Sequence, residues 1–226
     1  MSYRWDFSIV WQARHIFLAG TLVSLELTLF SIVIGTFLAV PLALGMLSHR
    51  QWLRLICRII VELLRAVPLL VLIIWMYYVL PATLGLSLTA FWTAAIALAL
   101  SLSAFAADIL RGSIVSIPEA HLDAGRTIGM SKSLLIYRIV IPEAFRRAVP
   151  GLTAIYISAF KLSTLASVIS VWELLYVSES IVLKYYKPLE VYTAVAALYA
   201  AVIIPATIFA RRLEEHRYFS LAPRSK

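Results

Sequence analysis

Long uncharged apolar stretches alternate with short charged segments along this chain, and the lengths of those stretches count helices. About 20 helical residues cross the ~30 Å hydrocarbon core of a bilayer. Residues 27–47 carry no charge, and the apolar pattern begins earlier, near Ile16, with Glu26 inside it. This is span one. Between Arg65 and Asp108 lie 42 uncharged residues, about 63 Å as one helix and so twice a bilayer. That stretch must fold back, and Pro81-Ala-Thr-Leu-Gly85 supplies turn residues near its middle. Spans two and three follow at 67–80 and 89–107, with span two starting before Arg65. Residues 148–172, interrupted only by Lys161, form span four, and 191–210 form span five. The predicted fold is all-α: a polytopic membrane protein with five transmembrane helices.

Composition agrees with this pattern and charge orients it. The chain is 62% hydrophobic and only 14% charged, with a mean hydropathy of +0.91, far from a soluble domain or a disordered chain. Its net charge of +8 does not point to nucleic acid, because the basic residues flank apolar runs. Segments 48–65, 108–147 and 211–226 hold fifteen Lys and Arg, against four in 1–15, 81–89 and 173–190. By the positive-inside rule the first set is cytoplasmic and the N-terminus is outside. The first apolar stretch is too long for a cleavable signal peptide and lacks a small-residue cleavage site, so none is expected. One cysteine, Cys57, and four scattered histidines offer neither a disulfide framework nor metal-ligand spacing.

Residues 108–147 form the most informative segment. Pro118-Glu119 opens a helix, small residues Ala120, Ala124 and Gly125 follow, and Gly129 ends it with a left-handed cap. Ser131 caps a second helix, 132–141, which stops at Pro142. A helix exposing Ala and Gly on one side either admits another protein's surface or rests on its own spans. The run Asp123-Ala124-Gly125-Arg126-Thr127-Ile128-Gly129, with Ile139-Val140-Ile141-Pro142 beyond it, resembles the EAA motif of ABC importer permeases. That motif reads E-A-A-x-x-x-G, then nine residues and I-x-L-P. Asp123 stands for its Glu and Gly125 for its second Ala. Gly20-Thr21-Leu22 with Ser24-Leu25, Arg65-Ala-Val-Pro68-Leu-Leu-Val71, Asp108-Ile-Leu-Arg111-Gly112 and Lys161-Leu-Ser-Thr-Leu165 are similar to stretches of the polar amino-acid permeases.

The resemblance covers residues 19–212 as one permease domain, between a periplasmic segment 1–18 and a cytoplasmic tail 213–226. It implies that the chain is not an enzyme and carries no cofactor. ATP and Mg would be bound by a separate ABC ATPase dimer, and no G-x-x-x-x-G-K-[ST] loop occurs here. It further implies a second permease subunit, identical or paired, and a periplasmic solute-binding protein, in the bacterial inner membrane. Asp123, Ala124, Gly125 and Gly129 are then the coupling residues; a local pair with Arg126 is the plainer role for Asp123. Ala120-His121 replaces the usual Gly-Gln, and Leu162 replaces an acid after Lys161. These departures leave the transporter class intact and leave the substrate open between a polar amino acid and a modified one such as an opine.

Charges inside spans cost about 2.5–3.5 kcal/mol at the centre, so Glu26 and Lys161 are candidates for the substrate path, with Ser163 and Thr164 beside Lys161. A zwitterionic amino acid offers one end to each charge. Alternatively Lys161 pairs with Glu26 or bonds carbonyls, Glu26 reaches the outer surface, and the hydroxyls bond their own helix. Asp108 with Arg111, and Glu62 with Arg58 or Arg65, read as structural pairs. Residues 173–190 read as an external loop, either solvated or touching partners. An ion-gradient-driven secondary transporter is the competing class, although no internal repeat supports it.

Overall fold

A computed structural model describes residues 3–218, with side chains as far as Arg212; residues 1–2 and 219–226, the end of the expected tail, lie outside the described residues. The helices in chain order are α1 (Ser8–Gln12), α2 (Arg14–Met46), α3 (Gln51–Ala66), α4 (Leu69–Leu84), α5 (Ala90–Val115), α6 (Glu119–Thr127), α7 (Lys132–Ile169), α8 (Leu174–Tyr185) and α9 (Pro188–Tyr218). Four are long and apolar enough to cross a bilayer: α2, α5, α7 and α9 as far as Arg212. The pair α3 and α4 passes the same test together but is bent by 99°.

That bend corrects the reading of span two. Residues before Arg65 do not extend it as a straight helix: they form α3, set at 99° to α4. Val67 is extended (φ −81°, ψ 123°) because Pro68 behind it excludes the helical region. Beyond the bend α4 is about 24 Å long, with a π-helical turn at Trp75–Val79. Gly85, with φ +66°, ends it.

The centre of the bundle is the seam between α2 and α5. Ser24, Thr28, Ser31, Gly35, Ala39 and Ala43 recur every three or four residues on α2 and are all buried. They meet Ala94, Ala95, Ala99, Ala104, Ala106 and Ala107 of α5, all at most 1% exposed. Small side chains let the backbones approach closely, the usual device inside membranes. A Cβ at Gly35 would stand 2.8 Å from the Ala99 carbonyl oxygen. Ser31 Oγ bonds the Leu27 carbonyl on its own helix at 2.8 Å and the Ala95 carbonyl across the seam at 3.0 Å.

α7 corrects the expected second loop helix. It does not stop at Pro142 but runs through it. A π-turn at Ile136–Val140 precedes the proline, widening the helix where the ring removes a donor and would otherwise crowd the preceding turn. The second arm of the elbow between α5 and α7 and span four are one element. At the far end of α7, Ser163–Ile169 tighten into a 3-10 helix, and Ser170 turns the chain with φ 61°.

Residues 173–190 are not a solvated loop. They contain α8, capped by Glu173, whose carboxylate accepts from the backbone N–H groups of Leu175 (3.0 Å) and Tyr176 (2.8 Å). Glu173 is fully buried, and burial pushes its carboxyl up from the usual range. Ser24 of α2 donates to it at 3.4 Å and accepts from the Leu174 N–H at 3.1 Å. Glu190, also fully buried, accepts from Tyr3 Oη (2.7 Å) and the Asp6 N–H (3.0 Å). Lys187 Nζ reaches Asp6 at 2.7 Å. The start of the chain is thereby clasped to the start of α9.

Candidate functional site

The elbow between α5 and α7 is built by ordinary helix-end chemistry. α6 opens after Pro118 with Glu119 in its first turn. It closes in a Schellman motif: Met130 N–H bonds the Gly125 carbonyl (3.1 Å) and Gly129 N–H bonds the Arg126 carbonyl (2.9 Å). Gly129 has φ +77°, the left-handed conformation in which a side chain is strained. Ser131 then caps the start of α7 through the Leu134 N–H.

The four expected coupling residues divide between two roles. Asp123, Ala124 and Gly129 are exposed. Gly125 is buried, and a Cβ there would meet Ile139 at 2.9 Å, Leu135 at 3.2 Å and Met130 at 3.3 Å. Its smallness seats α6 against α7 rather than offering room to an outside surface. Asp123 pairs with Arg126 at 2.8 Å. Both side chains are more than 60% exposed, so the pair contributes well under 1 kcal/mol and leaves Asp123 open to another partner. Ile128, 77% exposed at the tip of the elbow, was not singled out by its position in the sequence.

A set of ion pairs joins the elbow to two spans. His121 donates from Nδ1 to Glu143 Oε2 at 2.9 Å. Glu143 Oε1 accepts from Arg147 Nη2 at 2.7 Å and Nε at 3.2 Å. Arg147 Nη1 donates to the Ser116 carbonyl at the end of α5 at 3.1 Å. α6, α7 and α5 meet through three side chains. The residues lie 22 and 31 positions apart, so no short-range pattern reveals them; the one signal was His121 in place of the usual residue. Near the same end, Arg111 pairs with Asp108 at 2.8 Å, and Arg65 joins Asp108 at 3.3 Å and Glu62 at 4.0 Å.

The membrane candidates are not brought together. Glu26 and Lys161 are both exposed on this chain, and among the described residues neither forms an ion pair. Ser163 is buried and donates to the Phe160 carbonyl at 2.9 Å. Thr164 donates to the Lys161 carbonyl at 2.8 Å. Both hydroxyls thus bond their own helix. The groove beside them, about 360 Å³ between α2, α7 and α9, is lined by Leu25, Thr28, Thr153, Tyr156, Phe160 and Ile203 among others, and includes none of the four. Among the described residues no group of three or more His, Cys, Asp or Glu side chains is placed to hold a metal ion.

Comparison with known proteins gives one consistent result. Residues 31–217 match the family described as binding-protein-dependent transport system inner membrane component. The chain is 36% identical over 210 residues to the octopine transport system permease protein OccM of Rhizobium meliloti, covering 89% of this chain and 86% of that one. It is 37% identical over 171 residues to the L-cystine transport system permease protein TcyB of Bacillus subtilis (75% and 72% covered). Identity to the glutamine transport system permease protein GlnP of Escherichia coli is 28% over 218 residues (93% and 97% covered). A solved amino acid ABC transporter crystallised with histidines superposes with a TM-score of 0.89 at 26% identity, covering 95% of this chain and all of that one.

Proposed function

Because this chain belongs to the binding-protein-dependent transport system inner membrane component family, we propose that it is the membrane-spanning subunit of an ABC importer that brings a polar amino acid, or an amino-acid derivative such as an opine, into the cytoplasm. ATP and Mg are bound and hydrolysed by an ABC ATPase dimer on the inner face. A periplasmic binding protein delivers the solute, and a second permease subunit, identical or related, completes the pathway. The N-terminus is periplasmic and the C-terminus cytoplasmic, which puts the elbow on the inner face. The amino-acid and opine permeases among its relatives support the substrate class.

The observation that carries the coupling role is the exposed α6 elbow, wired by His121, Glu143 and Arg147 to both neighbouring spans. ATP draws the ATPase domains together and displaces α6. The ion-paired junction passes that displacement to α5 and α7 rather than letting the elbow bend alone. The spans need only two packings of similar free energy, each favoured by one ligation state of the ATPase. Asp123, Ala124 and Ile128 face the ATPase, with Asp123 carrying charge toward it. Gly129 sets the turn, and Gly125 holds α6 on α7. Glu26, Lys161, Ser163 and Thr164 stay as candidates for the substrate path, the two charges acting across the junction with a second subunit.

Reconstituted complex tests the reading. Uptake is expected to require ATP, the ATPase and the binding protein together. Solute movement by this chain without a nucleotidase would instead identify a gradient-driven transporter. For the path, uptake by Lys161→Ala and Glu26→Gln complexes is expected to fall; wild-type uptake and ATPase rates in both would remove the two residues from the path.

A further inference from the structure

The function above leaves α3 unused, the helix set at 99° to α4. Its sequence sorts into three faces at helical spacing. Leu53, Cys57, Val61 and Leu64 pack toward α2 and α5. A Cβ on Gly45 of α2 would collide with the Cys57 sulfur, so helix and bundle are in close contact. On a second face stand Trp52, Leu55, Ile56, Ile59, Ile60 and Leu63, each 40–61% exposed. On the third face, between the apolar one and the bundle, lie Arg54, Arg58, Glu62 and Arg65. Arg65 is taken up by Asp108 and Glu62 and sits over the Phe105 ring. Among the described residues Arg54 and Arg58 make no ion pair.

We propose that α3 lies flat in the inner-leaflet interface and that Arg54 and Arg58 bind the headgroups of anionic phospholipid. Three observations select a lipid surface over water or a protein. The bend sets α3 at nearly a right angle to α4, the apolar helix that follows it. Apolar and cationic residues occupy separate faces, both turned away from the protein, which is the sorting a bilayer boundary requires: acyl chains on one side, phosphates and water on the other. The free charge is arginine, whose long stem reaches from an apolar bed to a phosphate, and with Arg50 at its cap the helix carries net positive charge toward an anionic leaflet. α3 packs on both helices of the central seam, so lipid held by it bears on the element that any rearrangement must move.

The proposal rests on the orientation above only for which leaflet is named. Nanodiscs with both leaflets alike separate the two, because the helix then meets the same lipid whichever way the chain faces. In the assembled complex, phospholipid with brominated acyl chains is expected to quench a component of tryptophan emission that Trp52→Phe removes. Quenching equal in wild type and Trp52→Phe would show that protein, most simply the second permease subunit, covers this face, and would overturn the proposal. Phosphatidylglycerol retained by purified complex is expected to fall about fivefold for each arginine removed in Arg54→Gln and Arg58→Gln, and to persist in Arg54→Lys with Arg58→Lys. ATP-driven uptake in neutral lipid is expected to be the same in all of them. Unchanged phosphatidylglycerol retention in the double Gln variant would also overturn it, while ATP-dependent uptake there would leave the importer reading intact.

Discussion

At Gly129 no atom stands within 4 Å of where a Cβ would be, so a substitution there meets empty space and the cost is conformational. Gly129→Ala forces an alanine to φ +77°, about 1–2 kcal/mol. The expected outcome is a loosened elbow: less solute moved per ATP hydrolysed, with the complex still assembled. Glu173 shows the opposite logic, a charged side chain buried because it has work for both oxygens. Glu173→Ala uncaps α8 and leaves Ser24 without its partner carboxylate, an expected loss of about 1–2 kcal/mol seen as a lower thermal midpoint. Glu173→Gln keeps an acceptor and is expected to lose less. Of the four residues proposed for coupling, Gly129 was legible because a turn glycine announces itself between two helical patterns. The inward role of Gly125 was not, since it depends on Ile139 and Leu135 folding back over it.

Among elements, the apolar runs foretold α2, α5 and α9 well, because charge is excluded from a bilayer wherever the helix happens to pack. Local breakers were a poorer guide. Pro68 ends a helix and turns the chain sharply, whereas Pro142, equally conspicuous in sequence, lies within a continuous helix behind a π-turn. The difference lies in the turn before each proline, and that is set by packing. The α2–α5 seam makes a sharper test. Gly35→Val places branched carbon against the Ala99 carbonyl; overpacking of this kind costs about 1–3 kcal/mol, and reduced yield of assembled complex is expected. The clasp between Asp6 and Lys187 predicts a pH dependence. The bond to Lys187, and then that to Ser8, hold the Asp6 carboxyl well below the usual carboxylate range. A depressed carboxylate stabilises at every pH above its unfolded value, about 3.9, and loses that contribution only as pH falls through the lower folded value. Emission from Trp5, measured against Trp5→Phe, is therefore expected to stay constant from pH 8 to 5 and to change only in stronger acid.

For the whole molecule, the membrane class and the transporter family were both readable from linear patterns, while the wiring of the elbow was not. Charges 22 and 31 residues apart converge only when α7 continues through Pro142 and brings Glu143 and Arg147 beneath α6. The membrane candidates show the same limit from the other side: Glu26 and Lys161 stand out in sequence but are not paired within one chain. A further consequence follows from the clasp at the opposite end. Tyr3 and Asp6, just ahead of α2, are fastened to Glu190 and Lys187 at the head of α9, so the first and last long rods of the molecule are tied at their tops. Any widening of the bundle at that end has to swing those two rods as a single lever.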